Sequence, residues 1–323
     1  MDIIATIGST CTREMMEALS ARLAASGVSY LRFNLSKYSD QEGLDKIVEN
    51  ILHIKNKYPF KIMLDLPVPS RKPRLYIKGK ASLQAKKGER FDIAFKDFTD
   101  LDIIRLDTEH NVNLQEGDCL FYSDRDSEWV VTHACESKIT VEVMDDCTIH
   151  NTKSLCFGQT VQNEKRDLYL NAVKYVQPYS VALSFVENAK DVKEVANIIG
   201  SGIKIVSKVE TEAAVINIAS IANCSEIMVG RGDLTMYADY TKLYNLQKDI
   251  ATAMLNSGTN MYFATGVLSS LQHSSSPTVA EITDISHIAS YNPAGVVLNY
   301  GVVIDNIEKA ASIIAKVVKY QHG

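Results

Sequence analysis

The chain has 323 residues, 46% of them hydrophobic and 23% charged, enough for one large folded domain with a smaller insert and too apolar for long disorder. With 34 basic against 39 acidic side chains the formal net charge is −5, which argues against nucleic acid or an anionic membrane as partner while leaving room for a local anionic-metabolite site. The six cysteines show no CxxC pair and no zinc spacing, so reduced thiols are expected; with no signal-peptide pattern at MDIIATIGSTC and no later run able to span a bilayer, a cytoplasmic enzyme is expected.

Short β-rich runs alternate with helical patterns. IIATIG (3–8) precedes an amphipathic stretch from Thr12 to Ala25, and YLRFNL (30–35) precedes Asp40 to Lys55, with Ser39 as the expected N-cap. KIMLDL (61–66) is third. SVALSF (180–185), IKIVSKVE (203–210), EIMVGRGD (226–233), MYFATG (261–266) and AGVVLN (294–299) follow, each leading into a helical pattern, the last from Val303 to Tyr320. Eight strand–helix units predict a closed parallel (β/α)₈ TIM barrel, with a doubly wound open sheet as the rival.

Residues 67–155 break this rhythm. RLYIKG, RFDIAF, DCLFYS, EWVVTHA and KITVEVM are short strands separated by polar turns, which predicts a β-rich insert, a small antiparallel barrel, between barrel segments 1–66 and 156–323. Trp129, the only tryptophan, is expected in its core. The serine run Ser274–Ser276 is expected to cap the helix beginning near Thr278.

Alternate residues of a barrel strand face its interior. Parity turns Arg32, Asn34 and Ser36 inward from the second strand, Met63 and Asp65 from the third, Val206, Lys208 and Glu210 from the fifth, and Met261, Phe263 and Thr265 from the seventh. The polar members gather at the C-terminal strand ends, where barrel enzymes place their chemistry. An ion-pair network that merely fills the mouth is the plainer reading, but charges converging from several strands favour a site. In EIMVGRGDLT (226–235), a strand runs into Gly-Arg-Gly-Asp, whose glycines allow close backbone approach and whose N–H groups can hold an anion. Glu210 and Asp233 supply two carboxylates, suited to a magnesium ion that also takes substrate oxygens.

In order along the chain, ATIGSTC resembles CTIGPAS, LRFNLSKYS resembles RLNFSHG, MLDLPVPSRKPR resembles LDTKGPEIR, LSFVENAKDVKEV resembles SFVRKASDVHEV, IVSKVET resembles ISKIEN and EIMVGRGDLT resembles GIMVARGDLG. FATGVLSSL resembles ATQMLESM, and SPTVAEITDISHIA resembles PTRAEVSDVANA. The chain is thus similar to the pyruvate kinase family across its whole barrel, with the insert where that family carries its B domain. The resemblance implies Mg²⁺- or Mn²⁺-dependent phosphoryl transfer between phosphoenolpyruvate and ADP or another nucleotide, giving pyruvate and ATP. It implies that Arg32 contacts the phosphoryl group, that Lys208 stabilises it in flight, and that Glu210 and Asp233 bind the divalent metal. It implies further that Asn34, Ser36, Asp65 and the Leu66 carbonyl hold K⁺ as a candidate second cation. The N–H groups of Gly232 and Asp233 with the Thr265 hydroxyl would hold the acid's carboxylate, and Thr265 would pass a proton to the enolate.

The nucleotide side departs from the family. Lys37 stands for its histidine, Arg71 or Arg74 for its nucleotide arginine, Lys153 for the lysine of RKGVNLP, and Arg125 for the second aspartate of VDDG. Thr235, Gly266 and Val279 also differ from the family's Gly, Gln and Arg. A different phosphoryl acceptor, an enolate-type lyase and a non-catalytic phosphoenolpyruvate-binding protein are therefore carried as alternatives. Because the chain stops after the eighth helical pattern, the family's C-terminal regulatory domain is expected to be absent, and any homo-oligomer would use barrel surfaces.

Overall fold

A computed structural model describes residues 1–38, 40–95, 104–108, 113–123 and 125–322. Two compact units are present, one of 1–69, 163–234 and 241–323, the other of 70–162 and 235–240.

The larger unit carries eight strands, β1 (Asp2–Ile7), β2 (Tyr30–Asn34), β3 (Lys61–Arg71), β4 (Ser180–Ser184), β5 (Lys204–Val209), β6 (Glu226–Gly230), β7 (Met261–Ala264) and β8 (Gly295–Leu298). Each pairs in parallel with its neighbour, and β8 returns to β1 through Ile4↔Val297, so the sheet closes and the open-sheet alternative is excluded. Ten helices are described: α1 (Arg13–Ala25), α2 (Gln41–Lys57), α3 (Arg166–Val176), α4 (Ala189–Ile199), α5 (Glu212–Ile216), α6 (Ile218–Ala222), α7 (Arg231–Tyr237), α8 (Leu243–Ser257), α9 (Val279–Ser290) and α10 (Tyr300–His322). Among the described residues no helix is long and apolar enough to cross a membrane.

Five of the helices, α1, α2, α4, α5 and α9, start after side chains that accept from exposed N–H groups. Thr12 caps α1. Asp40 caps α2, its carboxylate accepting from the Gly43 N–H at 2.8 Å; Ser39, expected there, lies outside the described residues. For α9 the cap is Thr278 and not the preceding serines, because Glu281 reaches back to its N–H at 2.8 Å and closes a capping box.

Inside the barrel, Ile4, Tyr30, Met63, Ala182, Val206, Met228, Tyr262 and Val297 form one buried cluster, a single residue from each strand. Two residues further along, the same faces carry Thr6, Arg32, Asp65, Ser184, Lys208 and Gly230, so a polar storey lies on an apolar floor. The predicted parity holds for the second, third and fifth strands and fails for the seventh. There Tyr262 faces inward, and Phe263 stacks on Tyr291, the residue that ends α9, with centroids 6.1 Å apart. MYFA is apolar at every position, so alternation carries no signal in it.

The smaller unit is a seven-stranded sheet with a two-stranded ribbon, Ser82–Ala85 against Cys147–His150. It is not purely antiparallel as predicted: Arg90–Ala94 and Ile104–Leu106 run parallel. A bridge between Arg74 and Ser154 brings the first and last strands of the sheet together. Trp129 is fully buried, stacks on Tyr122 at 5.2 Å and donates from its indole N–H to the Ser127 hydroxyl at 3.1 Å.

Candidate active site

The polar storey of the barrel is a chain of charges. Arg32, inward on β2, donates from Nε (2.9 Å) and Nη2 (2.6 Å) to one oxygen of Asp65 and from Nη1 to the Thr6 hydroxyl at 2.8 Å. Lys208 Nζ lies 3.1 Å from the other Asp65 oxygen and 3.1 Å from Glu210 Oε1. Glu210, just past β5, is 2% exposed, and its Oε2 accepts from the Phe185 N–H at 2.8 Å. Phe185 points that N–H inward from a left-handed turn at φ 53°.

Glycine makes this crowding feasible at two positions. A Cβ at Gly230 would meet Glu210 Cγ at 2.6 Å, and one at Gly232 would meet Thr265 Cγ2 at 2.8 Å. In the RGD turn they make room for the side chains of Glu210 and Thr265. Asp233 sits in the first turn of α7 with a buried carboxylate oxygen.

Burial would pull the Lys208 ammonium down, yet Asp65 and Glu210 hold it above its usual value. Burial would raise Asp65, but Lys208 and Arg32 overcome that and hold it below the usual carboxylate range. Glu210 is different. Burial lifts it first, Asp233 and Asp65 add to that, and Lys208 only partly offsets them, so it is pushed up to about 7. Around Lys208, two cations (Arg32, Lys208) face three carboxylates (Asp65, Glu210, Asp233), which leaves negative charge to spare. The donor chemistry therefore fits a divalent cation at Glu210 and Asp233. Among the described residues no group of three or more His, Cys, Asp or Glu could hold a metal, so water and substrate oxygens would complete its shell.

The predicted monovalent-cation residues come together at paired strand ends, Asn34 opposite Asp65, with Ser36 in the turn Leu35–Lys37 and Leu66 on β3. Asn34 Oδ1 accepts from the Ser36 N–H at 3.0 Å, and the Asp65 oxygens serve Arg32 and Lys208.

Of the predicted nucleotide residues, Lys37 is exposed in that turn of the larger unit. The other three belong to the smaller unit: Arg71 pairs with Asp107 at 2.8 Å, Arg74 donates to the Thr152 carbonyl at 2.9 Å, and Lys153 is exposed. Within the same unit Arg125 is held between Phe121 (4.2 Å) and Tyr240 (4.5 Å) and donates to the Thr235 carbonyl at 3.1 Å.

Thr265 lies one residue beyond β7 in a left-handed conformation at φ 69°. Sequence reasoning overlooked what holds it there. Arg231, 9% exposed, donates to the Thr265 carbonyl from Nη2 (2.6 Å) and Nε (3.0 Å) and to Asp284 Oδ1 from Nη1 at 2.6 Å. A buried arginine inside a turn motif was the one available signal. Thr6 was also overlooked, although it stands opposite Arg32 in register.

The family model for the pyruvate kinase barrel domain matches residues 1–298. The chain is 26% identical over 313 residues to a pyruvate kinase of Borreliella burgdorferi, covering 92% of this chain and 64% of that protein. It is 29% identical over 307 residues to one of Thermotoga maritima, covering 88% and 63%, and 27% identical over 303 residues to pyruvate kinase isozyme G, chloroplastic, of Nicotiana tabacum, covering 88% and 52%. The chain thus spans less than two thirds of the length of these relatives. With a closed barrel, a charged storey at its strand ends and a family match over nearly its whole length, the chain belongs to the pyruvate kinase family.

Proposed function

We propose that the chain is a pyruvate-kinase-type phosphotransferase, moving the phosphoryl group between phosphoenolpyruvate and a nucleoside diphosphate with Mg²⁺ or Mn²⁺ held by Glu210 and Asp233. The observation that carries this is Lys208 suspended 3.1 Å from Asp65 and 3.1 Å from Glu210, a buried ammonium whose position is set from both sides. Phosphoryl transfer asks for positioned positive charge more than for covalent help from the protein. In this reading Arg32 and Lys208 face the phosphoryl oxygens as the bond to the enol oxygen breaks. Asp65 keeps both cations charged and aimed. A divalent metal held by Glu210 and Asp233 would supply Lewis-acid stabilisation of the developing negative charge. The N–H groups of Gly232 and Asp233 and the Thr265 hydroxyl hold the three-carbon acid's carboxylate, and Thr265 delivers, directly or through water, the proton that turns the enolate into pyruvate. In the same reading K⁺ is a candidate second cation, held by Asn34, Ser36, Asp65 and the Leu66 carbonyl. The larger unit, 1–69, 163–234 and 241–323, carries the chemistry in this reading.

A second reading keeps the acid half of the site and changes the acceptor. It is favoured by the insert's own cations: Arg71 is paired with Asp107, and Arg125 stands between two aromatic rings where the family has an aspartate. Pyruvate formation from phosphoenolpyruvate and ADP with Mg²⁺ tests the first reading, with Lys208→Ala as control. No turnover above that control, combined with labelled phosphate reaching another acceptor, would establish the second.

A further inference from the structure

We propose that Arg231 is a positioning residue that holds Thr265 in its reactive conformation; this rests on the role given to Thr265 above. A β-branched residue is strained in the left-handed region and stays there only where its surroundings impose it. At Thr265 the imposing group is the Arg231 guanidinium. One carbonyl oxygen receives two N–H groups from one guanidinium, at 2.6 and 3.0 Å, while the third nitrogen of that guanidinium is tied to Asp284 on α9 at 2.6 Å. Because Arg231 is 9% exposed, water competes little for these bonds.

The consequence reaches the site through Gly232. The Thr265 side chain lies where a Cβ on Gly232 would stand, 2.8 Å from its Cγ2 and 3.2 Å from its Oγ1. The RGD turn therefore does two things at once. Its backbone presents the N–H groups assigned to the carboxylate, and its arginine fixes the backbone of the residue whose hydroxyl completes that pocket. Hydroxyl and N–H groups are thereby kept in one register. Lysine cannot reproduce this, since a single ammonium lacks the planar fork that serves a carbonyl and a carboxylate together.

Arg231→Lys keeps the charge toward Asp284 and removes the fork. The expected crystal structure of this variant has Thr265 at negative φ. Its turnover falls on the order of 10- to 100-fold, as for a reacting group displaced by about 1 Å. Solvent hydrogen exchange into the pyruvate methyl group falls with it, and the double variant with Thr265→Ala is no slower than Thr265→Ala alone. If the lysine variant does not fold, Asp284→Ala, which removes the acceptor at the far end of the guanidinium, carries the same measurements. Thr265 still at φ near 69° in the variant overturns the proposal whatever the turnover, and so do losses that multiply in the double variant. A wild-type chain without turnover whose Arg231→Lys form nonetheless releases Thr265 leaves the positioning intact and removes only the phosphotransfer reading.

Discussion

Arg32 spends two of its N–H groups on a single oxygen of Asp65, at 2.9 and 2.6 Å, in a pocket where Asp65 is 1% exposed. The other oxygen of Asp65 is given to Lys208. One buried carboxylate therefore holds two cations, and they in turn hold its proton off.

Asp65→Ala should leave those two cations buried against each other. Breaking a buried pair costs about 3–5 kcal/mol, so urea denaturation should show a loss of that order. Inorganic phosphate, which can take the place of the lost carboxylate, should restore more stability to the variant than to the wild type. Equal stabilisation of the two proteins would show that Arg32 and Lys208 do not form an anion site.

Lys208→Met should separate metal binding from catalysis. Without the ammonium no protein cation competes for Glu210, so calorimetry at a pH high enough to keep Glu210 ionised should find Mn²⁺ bound more tightly. Turnover should nevertheless fall by roughly 10²- to 10³-fold, the usual loss when a charge-stabilising group is removed. Weaker metal binding in the variant would contradict the charge balance described for the site.

Glu210→Gln keeps an acceptor for the Phe185 N–H and removes the charge. Mn²⁺ affinity should drop by roughly tenfold or more, because ligand charge sets affinity for hard cations. The melting temperature should change little, since a carboxylate that burial already disfavours is replaced by a neutral amide. Unchanged affinity would mean the metal, if any, sits elsewhere.

Glu281 offers a pH test remote from the chemistry. Burial alone would raise it, but the Ser270 N–H (2.7 Å) and hydroxyl and the Thr278 N–H (2.8 Å) hold it below the usual carboxylate range. A depressed folded-state value stabilises above the unfolded pKa of about 4.3 and fades as pH falls through the folded value. Glu281→Gln should therefore cost about 1 kcal/mol at pH 7, and that difference should shrink below pH 4. A difference independent of pH would assign the effect to shape alone.

The barrel was legible because each strand begins a repeated unit, and Arg32, Asp65 and Lys208 were found because alternation in strands two, three and five is clean. Tyr262 was missed because its strand is apolar on both faces. Five short strands of the smaller unit, Ser82–Ala85, Ile104–Leu106, Cys147–His150, Leu155–Cys156 and Val161–Gln162, went unread, being too short to show a period. The Arg231–Asp284 contact joins residues 53 positions apart, and nothing local in either segment announces it. Capping of α9 by Thr278 depended on Glu281 three residues later, a local signal that the serine run obscured.

The two storeys inside the barrel divide evolutionary labour by a single step along each strand. Ile4, Met63, Val206 and Met228 tie the floor to folding alone, so change there is judged by whether the chain survives heat. Arg32, Asp65 and Lys208, one inward position above, hold one another through buried ion pairs, so change there must pass a test of charge balance as well. A lineage that rewrites the upper ring as a balanced set can do so over a floor that stays as it was.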